Sequence, residues 1–318
     1  MFDDRLLVEA RGLTKTYPAR NGTPPFQAVD GIDFQFGRGE AFGFLGPNGA
    51  GKSSTMRMLA AISPVTAGSL RVLGMDPASQ GPEIRSRIGV VPQDDCLDRE
   101  LTVRENIYVY GRYFGLPKAV IRERLEGLLA FAQLEDKADA QVEMLSGGMR
   151  RRLTIARSLI NEPEILLLDE PTTGLDPQAR HVLWDRLYRL KADGVTLIIT
   201  THYMDEAEQL CDRLAVMDGG RIVAEGSPRE LIESHVTREV LELRFGPDEH
   251  AAVAQRLRDA GIGERIDVLP DRVLIYAEDG EAALAEAIRR GLEPITSLVR
   301  RSSLEDVFLR LTGRSLIE

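Results

Sequence analysis

A glycine-rich segment between a strand-like stretch and a helical pattern constrains the fold of this chain more than any other feature. Residues 46 to 53 match the pattern G-x-x-x-x-G-K-[ST] and directly follow the apolar stretch from Ala41 to Leu45. From Lys52 to Ile62 the pattern becomes helical. In such a loop, backbone N–H groups turn inward around phosphates, and the helix amino terminus adds positive potential. The segment therefore predicts a phosphate-binding loop in an α/β core.

Two side chains of this loop carry distinct chemistry. Lys52 is predicted to reach the β- and γ-phosphates of ATP, and Ser53 to offer its hydroxyl to Mg²⁺. The predicted ATP-binding residues of the segment are Gly46, Pro47, Asn48, Gly49, Ala50, Gly51, Lys52, Ser53 and Ser54.

The rest of the chain predicts two domains. The α/β alternation of the first is interrupted between about 100 and 162 by an all-helical insert, and it ends in a hairpin around Asp218-Gly219-Gly220. After Ser234 the order becomes β-α-β-β-α-β, as in ferredoxin-like domains, followed by a last helix with a capping box at Ser303 and Asp306. We therefore expect a nucleotide-binding domain over residues 1–236 and a small α+β accessory or regulatory domain over 237–318.

Composition limits the cellular compartment and the classes of binding partner that we expect for this chain. Hydrophobic residues make up 43% of the 318 residues, which is typical of globular proteins, and no apolar run approaches the roughly 18 to 20 residues of a membrane helix. Forty basic against fifty acidic residues give a net charge of -10, which argues against nucleic acid as the main partner. The start of the chain lacks a secretory signal, so we expect a cytosolic protein with Cys96 and Cys211 reduced.

A buried strand followed by two carboxylates forms the second motif. The run Ile165 to Leu168 is continuously apolar and precedes Asp169 and Glu170. Asp169 is placed to hold Mg²⁺ through water, as a Walker B aspartate does, and Glu170 is then the candidate general base.

A third motif, at residues 145–149, is typical of a single protein superfamily. The segment Leu145-Ser146-Gly147-Gly148-Met149 closely resembles the signature of ATP-binding-cassette (ABC) ATPases. Further motifs follow that family's order: Gln93 resembles the Q-loop glutamine, Asp176 the D-loop aspartate, and His202 the switch histidine. Met149 departs from the glutamine that is common at its position, but no phosphate or metal ligand is lost. The resemblance covers residues 6 to about 230 and implies the fold and ATPase activity of that family.

The resemblance also implies how the site is assembled. Two copies of the chain would meet head to tail, so Ser146 and Gly148 of one copy would contact the γ-phosphate held by the other. Tyr17 resembles the aromatic residue that stacks on adenine, with Phe26 as the alternative because three prolines lengthen the intervening loop. The implied catalytic residues are Glu170, His202 and Gln93, and the implied Mg²⁺ ligands are Ser53, Gln93 and Asp169.

The closer resemblance is to exporter ATPases of the nodulation-factor (NodI-like) and daunorubicin-resistance types. It extends to the ending from Leu304 to Arg314. It implies a subunit at the cytoplasmic face of the cell membrane that drives a separately encoded multispan permease, with a drug, lipid or glycan as cargo. The alternative is a soluble ABC ATPase acting on ribosomes or DNA. A small P-loop kinase conflicts with the signature and with His202.

Two further groups are expected to be surface residues. Arg150, Arg151 and Arg152 predict a solvated basic helix face paired with acidic side chains, rather than a nucleic-acid site. The histidines outside the motifs, His181, His235 and His250, are expected to be exposed.

Overall fold

The computed structural model of the chain describes residues 6–19, 24–246 and 249–313. The start of the chain, part of the loop between Pro18 and Phe26, and Arg314 lie outside these ranges. The chain divides into two compact units, Met1–Ser227 and Pro228–Glu318. This division precedes the predicted boundary near 236, so a helix at the end of the predicted first domain lies in the second unit.

The strands of the first unit form two sheets. They are β1 (Leu6–Tyr17), β2 (Phe26–Gly37), β3 (Ala41–Leu45), β4 (Ala67–Val72), β5 (Ile88–Val91), β6 (Ile165–Asp169), β7 (Thr196–Thr201), β8 (Arg213–Asp218) and β9 (Arg221–Gly226). The larger sheet has the order β5-β6-β7-β3-β8-β9 and is parallel except for β9, which pairs antiparallel with β8. Strands β2, β1 and β4 form an antiparallel sheet. The predicted mixed sheet with an antiparallel subdomain is confirmed.

The apolar runs that predict strands lie in the centre of the larger sheet. Every residue of β3 and β7 is buried, as expected for parallel strands covered on both faces. Phe34 of β2 packs against Phe42 and Phe44 of β3, with ring centroids 6.3 and 5.1 Å apart, and this contact joins the two sheets. The carboxyl ends of β3, β6 and β7 meet at one edge of the sheet because the three strands are parallel neighbours.

Helices cover this sheet and build the predicted insert. They are α1 (Lys52–Leu59), α2 (Gly81–Arg87), α3 (Val103–Tyr113), α4 (Lys118–Ala132), α5 (Gly147–Ser158), α6 (Pro177–Ala192) and α7 (Met204–Leu210). Helices α3, α4 and α5 pack around their own apolar cluster, which includes Ile107, Leu125 and Leu153. Among the described residues, no helix combines the length and apolar composition that crossing a membrane requires.

The second unit has the predicted α+β order. Its elements are α8 (Pro228–His235), β10 (Glu239–Arg244), α9 (His250–Asp259), β11 (Arg265–Val268), β12 (Val273–Ala277), α10 (Gly280–Arg289), β13 (Thr296–Arg301) and α11 (Leu304–Thr312). The sheet is antiparallel in the order β11-β12-β10-β13, which is the ferredoxin-like arrangement. The predicted capping box of Ser303 and Asp306 is present at the start of α11.

The prediction that three histidines are exposed is wrong for His250. Only 5% of this residue is accessible, because it lies in the first turn of α9 against the ring of Phe245. His181 is exposed and His235 is half-buried.

Candidate active site

The glycine-rich segment lies between β3 and α1, where the sequence places it. Gly51 has a φ of +102°, and a Cβ at this position would lie 2.4 Å from the carbonyl oxygen of Ala28. This conformation is open to glycine and strained for other residues. The loop therefore depends on this glycine to turn into α1, which exposes backbone N–H groups of the helix amino terminus to a bound anion.

Lys52 is buried at the end of this loop. Its Nζ donates hydrogen bonds of 2.7 and 3.0 Å to the carbonyl oxygens of Gly46 and Pro47. It also lies 3.8 Å from Oε1 of Glu170. Burial lowers the pKa of Lys52, while the nearby carboxylates of Glu170 and Asp169 act in the opposite direction. The ammonium thus faces both the loop and the carboxylates at the end of β6.

Oxygen ligands for a cation meet beside the loop. Ser53 Oγ donates a 3.2 Å hydrogen bond to Oδ1 of Asp169. Thr200 of the adjacent strand β7 donates to the same carboxylate oxygen. Ser53, Gln93 and Asp169 line one cavity of about 250 Å³. Hydroxyl, carboxylate and amide oxygens are ligands that suit Mg²⁺, so this set fits the predicted metal.

Glu170 is the residue on which the other predicted site residues converge. It is buried, and its Oε2 accepts hydrogen bonds from Gln93 Nε2 at 3.3 Å and from Thr173 Oγ1 at 3.2 Å. Its Oε1 lies 3.3 Å from Nδ1 of His202 and 3.8 Å from Nζ of Lys52. The structure therefore brings one carboxylate together with Lys52 of the glycine-rich loop, the predicted Q-loop glutamine Gln93 and the predicted switch histidine His202.

The backbone of Glu170 is also unusual. Its φ is +46°, a value that costs energy for a residue other than glycine. Its N–H donates to the carbonyl oxygen of Thr200 at 3.0 Å and to the hydroxyl of Thr200 at 3.1 Å. Strand β7 thus holds the peptide in the strained conformation. Thr200 was not predicted as a site residue, although a threonine in an apolar strand next to the strand of Asp169 is a signal for such a role.

The signature and D-loop residues are located at helix starts. Ser146 precedes α5, and its Oγ accepts a 3.3 Å hydrogen bond from the backbone N–H of Met149. Leu145 is buried, whereas Ser146 and Gly147 are exposed. Asp176 precedes α6 and accepts a 2.9 Å hydrogen bond from the N–H of Ala179. The first N–H groups of a helix have no partner within the helix itself, and the positive potential of a helix start attracts an anion, so the exposed start of α5 is suited to meet one.

The predicted adenine-stacking residue lies at the other side of the loop. Tyr17 is half-buried at the end of β1, and its hydroxyl is 3.2 Å from Oγ of Ser54. Lys15 Nζ lies 5.0 Å from the centre of its ring. Phe26, the alternative, is 56% exposed. The two residues are paired in the β1–β2 register, where Tyr17 is opposite Phe26.

The prediction of a solvated basic face is wrong for Arg151. This residue is only 6% exposed, and its guanidinium donates to backbone carbonyl oxygens of the segment around Gln93 and of the end of β6. Arg150 and Arg152 are partly exposed, as a helix face would be. The charge pattern alone does not distinguish the three, because only the packing of α5 determines which one is turned inward.

Comparison with known families agrees with this geometry. The model of the family described as ABC transporter matches residues 29–173. The model described as the C-terminal domain of the nodulation factor export protein NodI matches residues 251–313.

Curated relatives match over nearly the whole chain. The Nod factor export ATP-binding protein I of Ralstonia nicotianae is 48% identical over 98% of this chain and 95% of its own length. The protein of the same name from Paraburkholderia xenovorans is 50% identical over 91% of this chain and 93% of its own length.

Solved structures match most of the chain. The protein cbiO1 from Clostridium perfringens, part of the ABC transporter complex cbiONQ, has a TM-score of 0.65 and 29% identity over 81% of this chain and 98% of its own. The cassette MJ0796, in a dimeric post-hydrolysis state bound to ADP and Pi, has a TM-score of 0.63 and 27% identity over 69% of this chain and 98% of its own. The chain thus belongs to the ABC transporter ATPases, and among them to the family of the Nod factor export ATP-binding proteins, with an ATPase cassette followed by a NodI C-terminal domain.

Proposed function

We propose that this chain is the ATP-hydrolysing subunit of an exporter, that it works as a pair of identical copies, and that it drives a separately encoded multispan permease. The observation that carries the proposal is the convergence of Lys52, Gln93 and His202 on Glu170, beside the phosphate loop. The names of the relatives, which refer to Nod factor export, support export as the direction. We infer a cargo of the drug, lipid or glycan type, selected by the permease at whose cytoplasmic face this subunit docks.

In the proposed reaction, Glu170 orients and polarises the water that attacks the γ-phosphate of ATP. A buried carboxylate within reach of the phosphate loop suits a general base. Lys52 and His202 both lie near Oε1 of this carboxylate, so they are placed to stabilise negative charge on the transferred phosphoryl group. The hydrogen bonds from Gln93 and Thr173 to Oε2 fix the orientation of the base.

Mg²⁺ is the proposed cofactor. Ser53, Gln93 and Asp169 would hold it, directly or through water, and Thr200 orients the carboxylate of Asp169. A bound Mg²⁺ would neutralise charge on the phosphate oxygens.

The second copy would complete each site. The start of α5, with Ser146, Gly147 and Gly148, is proposed to meet the γ-phosphate bound to the other copy, because an exposed helix amino terminus binds anions. Asp176 would lie in the same interface. Tyr17 is proposed to stack on adenine, with Phe26 as the alternative. The second unit is proposed to be an accessory or regulatory domain.

The variant Glu170→Gln tests the reaction. It keeps the shape and the hydrogen-bond acceptor but loses the base, so turnover should fall at least about a hundredfold, the scale of general-base catalysis. ATP binding should persist, and size-exclusion chromatography with light scattering should show a longer-lived ATP-bound dimer. The control is Glu123→Gln, an exposed residue of α4, which should hydrolyse ATP like the unchanged chain. Near-normal turnover of Glu170→Gln would refute the role of Glu170.

Co-purification tests the partner. A tagged chain is recovered from gently solubilised native membranes, and its companions are identified by mass spectrometry. A hydrophobic multispan protein in near-equal amount supports the permease. Ribosomal proteins or nucleic acid without such a protein would instead support the soluble ABC ATPase.

A further inference from the structure

Arg151 connects α5 to two loops of the active site at once. Its guanidinium donates to five carbonyl oxygens: those of Pro171 at 2.8 Å, Asp169 at 2.9 Å, Glu170 at 3.1 Å, Gln93 at 3.3 Å, and Pro92. Three of these belong to the end of β6 and its continuation, and two belong to the Q-loop. A planar guanidinium with five N–H donors can serve two diverging segments in this way, whereas a lysine ammonium cannot.

These hydrogen bonds restrain the backbone of Glu170, the proposed general base, at its carbonyl oxygen, whereas β7 restrains it at its N–H. The N–H of Glu170 is held by Thr200 of β7, and its carbonyl oxygen is held by Arg151 of α5. The residue between these two contacts has the strained φ of +46°. A strained backbone persists only where its surroundings hold it. The backbone of Glu170 is therefore held both by β7 and by α5.

Three neighbouring side chains of α5 also contact the chain just after Gln93. Thr154 Oγ1 donates to the carbonyl oxygen of Asp95 at 3.2 Å, and Arg157 donates to that of Cys96 at 2.9 Å. Arg150 pairs with the carboxylate of Asp95 at 3.3 Å. Arg151 is distinguished from these neighbours because it also reaches the end of β6.

Arg151 is charged, because an arginine guanidinium stays protonated in proteins. None of the ion pairs among the described residues includes Arg151, so the carbonyl dipoles are its direct partners. An ordinary structural salt bridge does not account for it.

We propose that Arg151 is a positioning residue that couples the signature helix α5 to Glu170 and Gln93 of the same subunit. The inference rests on the proposed function, in which the start of α5 meets the ATP bound to the second copy. Movement of α5 on closure of the dimer would then shift the carbonyl of Glu170, so each active site responds to occupancy of the other. Such coupling is reciprocal between the two sites.

The variants Arg151→Lys and Arg151→Gln test the proposal in the full chain. Steady-state hydrolysis gives kcat, KM and the Hill coefficient for ATP, and a fluorescent ATP analogue gives nucleotide affinity. We expect Arg151→Lys to bind nucleotide within about threefold of the unchanged chain but to lose about 10- to 100-fold in kcat, the scale of a slightly misplaced catalytic group. The Hill coefficient should fall to one. Arg151→Gln should show a larger loss in kcat.

The control is Arg152→Lys. Arg152 is partly exposed on the same helix and donates to the side-chain oxygen of Gln133 at 3.4 Å, so its replacement should leave kcat and the Hill coefficient unchanged. A normal kcat in Arg151→Lys, or a Hill coefficient of one in the unchanged chain, would overturn the coupling. Loss of nucleotide binding together with kcat in both Arg151 variants would show a structural role and overturn it too. If the unchanged chain hydrolyses no ATP, or Glu170→Gln forms no ATP-bound dimer, the proposed function itself fails.

Discussion

Replacing Asp306 by asparagine should destabilise the second unit by about 2–4 kcal/mol. The carboxylate is 1% exposed and accepts hydrogen bonds from Arg300 Nη1 at 2.7 Å and Nη2 at 2.9 Å. It also accepts from the Tyr276 hydroxyl at 3.2 Å and from the backbone N–H of Ser303 at 2.8 Å. Removing one partner of a buried ion pair costs about 3–5 kcal/mol. The expected loss is smaller, because asparagine keeps one acceptor oxygen and Arg300 keeps its 2.6 Å hydrogen bond to Glu242.

The pH dependence of this effect has a defined sign. Burial by itself raises the pKa of Asp306, but hydrogen bonds and charge from Arg300, with further hydrogen bonds from Ser303, outweigh it, so the pKa lies below its ordinary value. A depressed pKa in the folded state stabilises the fold above the ordinary pKa, and this stabilisation is lost as the pH falls through the folded value. The difference between the unchanged chain and Asp306→Asn should therefore be complete at pH 7 and shrink below about pH 4.

Hydrogen exchange of the full chain measures the loss of stability in the second unit itself. The single tryptophan, Trp184, lies in the first unit, so its fluorescence reports that unit. Exchange of amides in β10 and β12 reports the second unit, and their protection should fall about 30- to 700-fold, the equivalent of 2–4 kcal/mol. The control Glu305→Gln changes an exposed neighbour in the same helical turn and should cost less than about 1 kcal/mol. A loss in Asp306→Asn no larger than in Glu305→Gln would refute the reasoning.

Two further predictions concern the first unit. Gly51→Ala should weaken ATP binding about 10- to 100-fold, because the φ of Gly51 is +102° and a Cβ there would lie 2.4 Å from the carbonyl oxygen of Ala28. Nucleotide titration measures the affinity. The matched control is Gly127→Ala, where a Cβ would meet no other atom within 4 Å. An unchanged affinity in Gly51→Ala would contradict the loop geometry. A maleimide at neutral pH should label Cys96, which is exposed, and spare Cys211, whose pKa is raised by burial. Intact mass should show one adduct on the folded chain, and two adducts would contradict the burial of Cys211.

Local features of the fold were predictable from the sequence because the interactions behind them join residues close in the chain. The phosphate loop needs glycine at Gly51, and its place between a strand and a helix can be recognised from apolar pattern alone. The capping residues Ser146, Asp176 and Ser303 are each bonded within three positions along the chain. The strand order of the second unit followed from its β-α-β-β-α-β pattern. The motifs of the site were recognisable too, although their catalytic roles stay predictions until Glu170→Gln is measured.

The sequence by itself indicated an ABC ATPase cassette, through the resemblance of its motifs to that family, and a small α+β domain, through its apolar periodicity, since both signals come from residues close together in the chain. Only the tertiary structure decided which polar groups are buried. Arg151 has an acceptor 59 positions away in the chain, and Thr200 meets Asp169 only through the parallel pairing of β6 and β7. Burial of His250 likewise depends on how α9 packs. Long-range packing determines which side of a helix is buried, and the identity of a charged residue in the sequence is the same whether it is buried or exposed.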